Sequence, residues 1–173
     1  MLILVTGGNG SGKSRFAESV AAGFDGKRYY VATMIPYGPE GEARKCRHIA
    51  QREGLGFITV ECPFGLGEVP AGENDLVLLE DVSNLLANAM FDVEHRASPS
   101  AVEVDILALE CRCKLLIAVT IGGLTGDGCD EETQQYVAAL NALNARLAGR
   151  ARTVVELRDG TPCVVRGEKT WTF

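Results

Sequence analysis

An α/β fold with a mainly parallel sheet is predicted by three observations. Short β-rich apolar runs alternate along the chain with segments of helical periodicity, the pattern of strands joined by crossover helices. The first run, residues 2–6, breaks into a glycine-rich stretch and then a helical pattern. The last two runs flank an Asp159-Gly160 turn, which predicts an antiparallel hairpin at the end of the sheet. With 173 residues and neither repeat nor linker, residues 1–173 read as a single domain.

Each element follows from local pattern. Residues 2–6 form an apolar run that stops at glycine, as a strand buried on both faces does. Phe16, Ala17, Val20 and Ala21 recur at helical spacing within 13–23. Residues 28–33 read as a second strand, and 34–41 as a loop carrying two prolines and two glycines. A charged helix is expected at 42–53, a short strand at 57–60 and another loop at 63–74. Four consecutive aliphatics at 76–79 predict a buried strand that ends in Glu80 and Asp81, with a helix over 83–91. Val102, Ile106, Leu107 and Leu109 mark a helix at 99–112, leading into a strand at 115–120. A glycine-rich loop at 122–128 precedes a helix at 131–147, and strands at 153–157 and 163–165 close the chain.

Composition narrows the function classes. Hydrophobic residues are 46% and charged residues 23%, ordinary for a globular chain with a real core. A net charge of −6 argues against a general binder of nucleic acid or anionic membranes. No apolar stretch approaches a membrane span or a signal core. The 6 cysteines include no C-x-x-C pair, so reduced thiols and a cytoplasmic location are expected.

The strongest local signal is GGNGSGKS, which is Gly7, Gly8, Asn9, Gly10, Ser11, Gly12, Lys13 and Ser14. It fits the phosphate-loop pattern G-x-x-x-x-G-K-S/T in its required setting, after a strand and before a helix. The glycines let the backbone turn its amides inward on phosphate oxygens, and the helix adds its positive end. Lys13 can reach the β- and γ-phosphates of ATP or GTP, and the Ser14 hydroxyl can ligate Mg²⁺. Glu80 is the first candidate for the strand-end acid of such a metal site, with Asp81 second.

A second constellation lies at Arg44, His48 and Arg52, spaced i, i+4, i+8 and therefore on one helical face. A neutral imidazole is a nucleophile toward phosphorus, and guanidiniums around it would disfavour imidazolium and grip phosphate oxygens. These residues alone leave open a merely solvated charged face. His95 has no comparable setting.

The ordered set of motifs resembles one family. Ile3 to Gly8 with Ser11 to Ser14, Tyr30 to Thr33, Arg44-xxx-His48-xxx-Arg52, Thr59-Val60-Glu61, Leu78-Leu79-Glu80 with Asn84 and Asn88, Ala118 to Thr120, and Asn144 to Ala148 are similar to the bifunctional adenosylcobinamide kinase/adenosylcobinamide-phosphate guanylyltransferases. The resemblance implies a RecA-like P-loop NTPase sheet with helices on both faces, ending in the C-terminal antiparallel hairpin, and a homotrimer. It implies transfer of the γ-phosphoryl group of ATP or GTP to the arm of a corrinoid, then transfer of GMP from GTP through a guanylylated histidine at His48. Arg44 and Arg52 fall on the residues around that histidine. Lys13, Ser14 and Glu80 would serve phosphate and Mg²⁺, and the resemblance adds Thr33 and Glu61 to the nucleotide site.

Two stretches depart from the family pattern. Where the family reads valine-threonine-asparagine-glutamate-valine-glycine, this chain has Val119, Thr120, Ile121, Gly122, Gly123 and Leu124. The helix over 136–144 also lacks the family's charged residues. A P-loop kinase of another small alcohol and a degenerate, non-catalytic nucleotide-binding subunit are therefore alternatives.

Overall fold

The computed structural model describes residues 1–169 and 171. Seven strands form one sheet in the order β3-β2-β4-β5-β1-β6-β7. They are β1 (Leu2–Gly7), β2 (Arg28–Ala32), β3 (Phe57–Glu61), β4 (Leu76–Glu80), β5 (Leu115–Val119), β6 (Thr153–Arg158) and β7 (Thr161–Arg166). All neighbours pair in parallel except β6 with β7. The helices among the described residues are α1 (Lys13–Ala22), α2 (Gly38–Gln51), α3 (Val82–Phe91), α4 (Pro99–Arg112) and α5 (Glu131–Arg150).

The two-residue period of the strands divides the core into two layers. Leu2, Leu4, Val77, Leu79, Leu116 and Ala118 face one side, where α3, α4 and α5 cover them with Leu86, Ile106 and Leu143. Ile3, Val5, Leu76, Leu78, Ile117 and Val119 face the other, where Phe16, Ala17 and Val20 of α1 pack. Burial on both faces explains why these strands read as continuous aliphatic runs. The hairpin turn places Asp159 at φ 49° and Gly160 at φ 79°, the two positive values that a tight turn matching strand twist requires.

All twelve predicted elements are present, with ends displaced by a few residues. The largest displacement is at α2, expected from residue 42 but beginning at Gly38, because Pro39 is pre-set for a first helical turn. No residue of α2 is buried, so charge rather than an apolar stripe had to announce that helix. No helix of the described residues is long and apolar enough to cross a membrane.

Candidate active site

The glycine-rich loop sits between β1 and α1. Gly7 has φ 148°, and a Cβ added there would lie 2.6 Å from the carbonyl oxygen of Leu157 on the neighbouring strand. Only glycine lets the chain turn at that spot without displacing β6. Gly12 takes a left-handed conformation at the N-terminus of α1 and so aims the first amides of the helix into the loop. The Lys13 ammonium donates to the Gly8 carbonyl at 2.6 Å, which holds its cation across the loop. Burial lowers the Lys13 pKa, while Asp81 and Glu80 act in the opposite direction.

α1 packs across β1, β5 and β4, although β5 separates β1 from β4. That crossing carries Ser14 to the end of β4, where its hydroxyl donates to Oε1 of Glu80 at 2.5 Å. The other oxygen, Oε2, is buried without a hydrogen-bond partner among the described residues. Burial raises the pKa of Glu80, and the Asp81 carboxylate beside it raises it further. Asp81 is raised by burial as well, against hydrogen bonds from Ser83 and the Asn84 amide. Two adjacent, partly buried carboxylates with an orphaned oxygen and a neighbouring hydroxyl form a hard-oxygen set that suits Mg²⁺.

Asp81 also caps α3, accepting from the Asn84 amide at 2.6 Å and from the Ser83 hydroxyl at 2.6 Å. Its backbone is gripped by Thr33, whose Oγ1 accepts from the Asp81 amide and donates to the Asp81 carbonyl, both at 2.8 Å. Thr33 is fully buried and does not line the cavity, and through these two bonds it supports the acid.

A cavity of about 520 Å³ opens over this loop. It is lined by Asn9 to Ser14, by Glu80, and by Arg44, His48, Arg52 and Glu61. The predicted constellations thus share one space. Gly7 is buried beneath the loop, and Gly8 is exposed on a neighbouring depression beside the β6–β7 turn. His48 is half-buried; burial first, and then Arg52, Arg44 and Arg47, push its pKa below the ordinary imidazole value. The ring is therefore held neutral near pH 7.

Arg52 is itself buried and stacks over the Tyr30 ring at 4.0 Å, with Nε donating to Thr59 at 3.3 Å. It braces the end of α2 against the sheet while its charge faces the cavity. Gln51 adds a hydrogen bond of 2.8 Å to Glu18 of α1, and Lys45 pairs with Glu61 at 2.6 Å. Arg15, Tyr30, Arg47, Asn84 and Ile121 also line the cavity and were missed in the sequence. Arg47 adjoins His48 and was recoverable from charge density alone. Tyr30 reads as a core residue, and nothing in sequence says that its ring is a platform for Arg52.

The departures from the family pattern fall on a hydrogen-bonded seam. Thr120 donates to Oδ1 of Asn144 at 2.8 Å, and the Asn144 amide donates to the Ile121 carbonyl at 2.9 Å. Asn141 binds the Leu124 carbonyl at 3.2 Å. Gly122 lies so close to Thr6 that an added Cβ would meet its hydroxyl. The strand-to-loop path at 120–124 is thus fixed by α5, while Ile121 gives the cavity an apolar wall there.

The fold and this loop define a P-loop nucleotide-binding protein. A similar architecture occurs in an ATPase from the type III secretion system of pathogenic bacteria, with a TM-score of 0.51 and 15% sequence identity. That match covers 91% of this chain but 51% of the other, so this chain spans about half of that structure. The family model for cobinamide kinase / cobinamide phosphate guanyltransferase matches residues 3–165, and the chain belongs to that family of enzymes. It is 33% identical over 126 residues to the bifunctional adenosylcobalamin biosynthesis protein CobU of Escherichia coli (strain K12), covering 66% of this chain and 68% of that protein.

Proposed function

We propose that this enzyme phosphorylates the hydroxyl of the aminopropanol arm of adenosylcobinamide and then transfers GMP to the phosphate so formed, as a step of cobalamin biosynthesis. The observation that carries this reading is the meeting of His48, kept neutral by burial and its arginines, with the phosphate loop in one cavity. Attack on the α-phosphorus by a covalent nucleophile calls for such a neutral histidine held among arginines.

In the first reaction the arm's oxygen attacks the γ-phosphorus of ATP or GTP and the nucleoside diphosphate leaves. Lys13 and the loop amides stabilise charge on the phosphate oxygens, and a carboxylate of the Glu80–Asp81 pair accepts the hydroxyl proton. Ser14 and Glu80 would hold Mg²⁺, which when bound neutralises charge on the phosphates. In the second reaction a ring nitrogen of His48 attacks the α-phosphorus of GTP and pyrophosphate leaves. A phosphate oxygen of the phosphorylated corrinoid then displaces His48, forming the diphosphate bond and freeing the imidazole. Arg44 and Arg52 hold the oxygens of the phosphorus under attack. Glu61, which lines the cavity and pairs with Lys45, would contact the nucleotide.

The proposal includes a cytoplasmic homotrimer of single-domain subunits. The test is intact-mass spectrometry after mixing the protein with GTP and Mg²⁺. A mass gain of one GMP is expected for the natural protein and none for His48→Ala. Absence of the adduct with phosphorylation of adenosylcobinamide retained would leave a kinase only. Tight GTP binding with neither reaction would mark the non-catalytic subunit that the apolar Ile121 wall otherwise favours.

A further inference from the structure

Helices α2 and α3 run beside two depressions, of which the nucleotide cavity is one. At that cavity Arg44 and His48 of α2 stand near Asn84 of α3. Further along, Tyr37, which caps the N-terminus of α2, meets Asn88 and Phe91 of α3 around a second, open depression of about 480 Å³. The Asn88 side-chain amide donates to the carbonyl oxygens of Thr33 at 2.8 Å and Pro63 at 2.9 Å. Those carbonyls follow the C-terminal ends of β2 and β3, so α3 is tied along the same edge of the sheet that carries the phosphate loop. From Asn84 to Asp92 the path is about 12 Å at helical rise.

This second depression has an unusual surface. Val93 is 92% exposed, Tyr37 77% and Phe91 45%, three large apolar groups that line the same depression. Asp92 and Glu94 add two carboxylates at its rim. Isolated apolar side chains on a surface need no explanation, but a cluster that adjoins a reaction site does. The Asp92 carboxylate accepts from the amides of Glu94 at 2.9 Å and His95 at 2.8 Å and pairs with the His95 ring at 3.0 Å, so the exposed Val93 stands in a hydrogen-bonded turn.

We propose that this surface is the docking site for the macrocycle of the corrinoid, with its arm reaching along α3 to the phosphate loop. The proposal rests on the function assigned above. A cobalt(III) corrin is a flat ring system with apolar faces, an amide fringe and a net positive charge. Tyr37, Phe91 and Val93 supply contact for such a face, the Asn88 side-chain oxygen can accept from an amide of the fringe, and the Glu94 carboxylate at the rim matches the charge. The nucleotide cavity is lined by charged and polar groups suited to phosphates, so the ring needs a more apolar surface beside it. Its arm must nonetheless place a hydroxyl near Ser14 and Glu80, which sets the ring about one corrin width away along α3.

The experiment is steady-state phosphorylation of adenosylcobinamide by the Tyr37→Ala/Val93→Lys double variant, with nucleotide saturating. Both side chains are exposed, so the fold should survive the change. The KM for adenosylcobinamide should rise about tenfold or more, with kcat, the KM for nucleotide and GMP loading of His48 unchanged. Glu94→Lys, which reverses one rim charge, should raise the same KM several-fold. An unchanged corrinoid KM in the double variant would overturn the proposal. So would dissociation of an oligomer with that KM intact, which would identify a second copy of the chain as the occupant. If the natural protein does not phosphorylate adenosylcobinamide, the assigned reaction fails, and equilibrium dialysis followed by the corrinoid's visible absorption decides the docking site separately. Binding that is present in the natural protein and lost in the double variant upholds the site; equal binding in both, or binding by neither, rejects it.

Discussion

The Ser14 hydroxyl donates to Oε1 of Glu80 at 2.5 Å, joining residues 66 positions apart in sequence. This single contact registers the phosphate loop against the strand-end acid and makes one site of two motifs. It also leaves Glu80 in a buried environment that opposes its charge, a cost that the function requires.

Replacing Glu80 by Gln tests that cost. A buried carboxyl whose pKa is raised on folding contributes stability that is present below the unfolded carboxyl range and is lost as pH rises through the folded value. Glu80→Gln keeps the acceptor for Ser14 and removes the charge. The variant without nucleotide should therefore melt higher at pH 8, by about 2–4 °C for each kcal/mol recovered, with a smaller gain at pH 5. Its Mg²⁺-dependent turnover should fall sharply. Calorimetry across pH and a phosphoryl-transfer assay check the two halves.

Lys13→Ala removes the cation that lies across the loop. Loss of such a contact to the transferring phosphoryl group costs about 3–4 kcal/mol, a few hundred-fold in turnover. The melting temperature should stay close to that of the natural protein, because among the described residues the ammonium's hydrogen bond goes to the Gly8 carbonyl. Turnover near the natural rate would remove the phosphate-loop assignment.

GMP loading of His48 should remain active in mildly acidic buffer. The nucleophile must be neutral, and its depressed pKa places the acid limb of the loading rate below the ordinary imidazole range. Arg44→Gln and Arg47→Gln each remove a positive neighbour, so each should move that limb toward higher pH. The movement should be partial, since burial is the leading cause of the depression. Adduct formation followed by mass spectrometry from pH 5 to 8 measures it, and an unmoved limb would deny the arginines this role.

Gly7→Ala probes the loop's packing. The new Cβ would meet the Leu157 carbonyl in a backbone conformation reserved for glycine. A destabilisation of about 2 kcal/mol or more is expected, together with weakened nucleotide affinity. Gly8→Ala, with nothing within 4 Å of its added Cβ, should cost far less. Denaturant melts and a fluorescent-nucleotide titration separate the pair.

Most of the fold was legible because its signals are local. Aliphatic runs such as residues 76–79 announce strands buried on both faces, and Asp159-Gly160 announces a hairpin through the positive φ values it tolerates. The start of α2 was less legible, since that helix buries nothing and its pattern of charges carries no edge. Site residues were readable where chemistry demands a rare type at fixed spacing, as in Lys13, Ser14 and the Arg44–His48–Arg52 face.

By itself, then, the sequence determined the order of strands and helices, the phosphate loop, and the candidates for acid and nucleophile, because each depends on neighbours within a turn or two. Tertiary structure alone decided which candidates meet. It placed β5 between β1 and β4 yet carried Ser14 across to Glu80, and it folded α2 back so that His48 faces the loop. It also turned Thr33 into a clamp on Asp81 and Tyr30 into a platform for Arg52. These are contacts between residues distant in sequence, fixed by the packing of whole elements, and no local pattern encodes them.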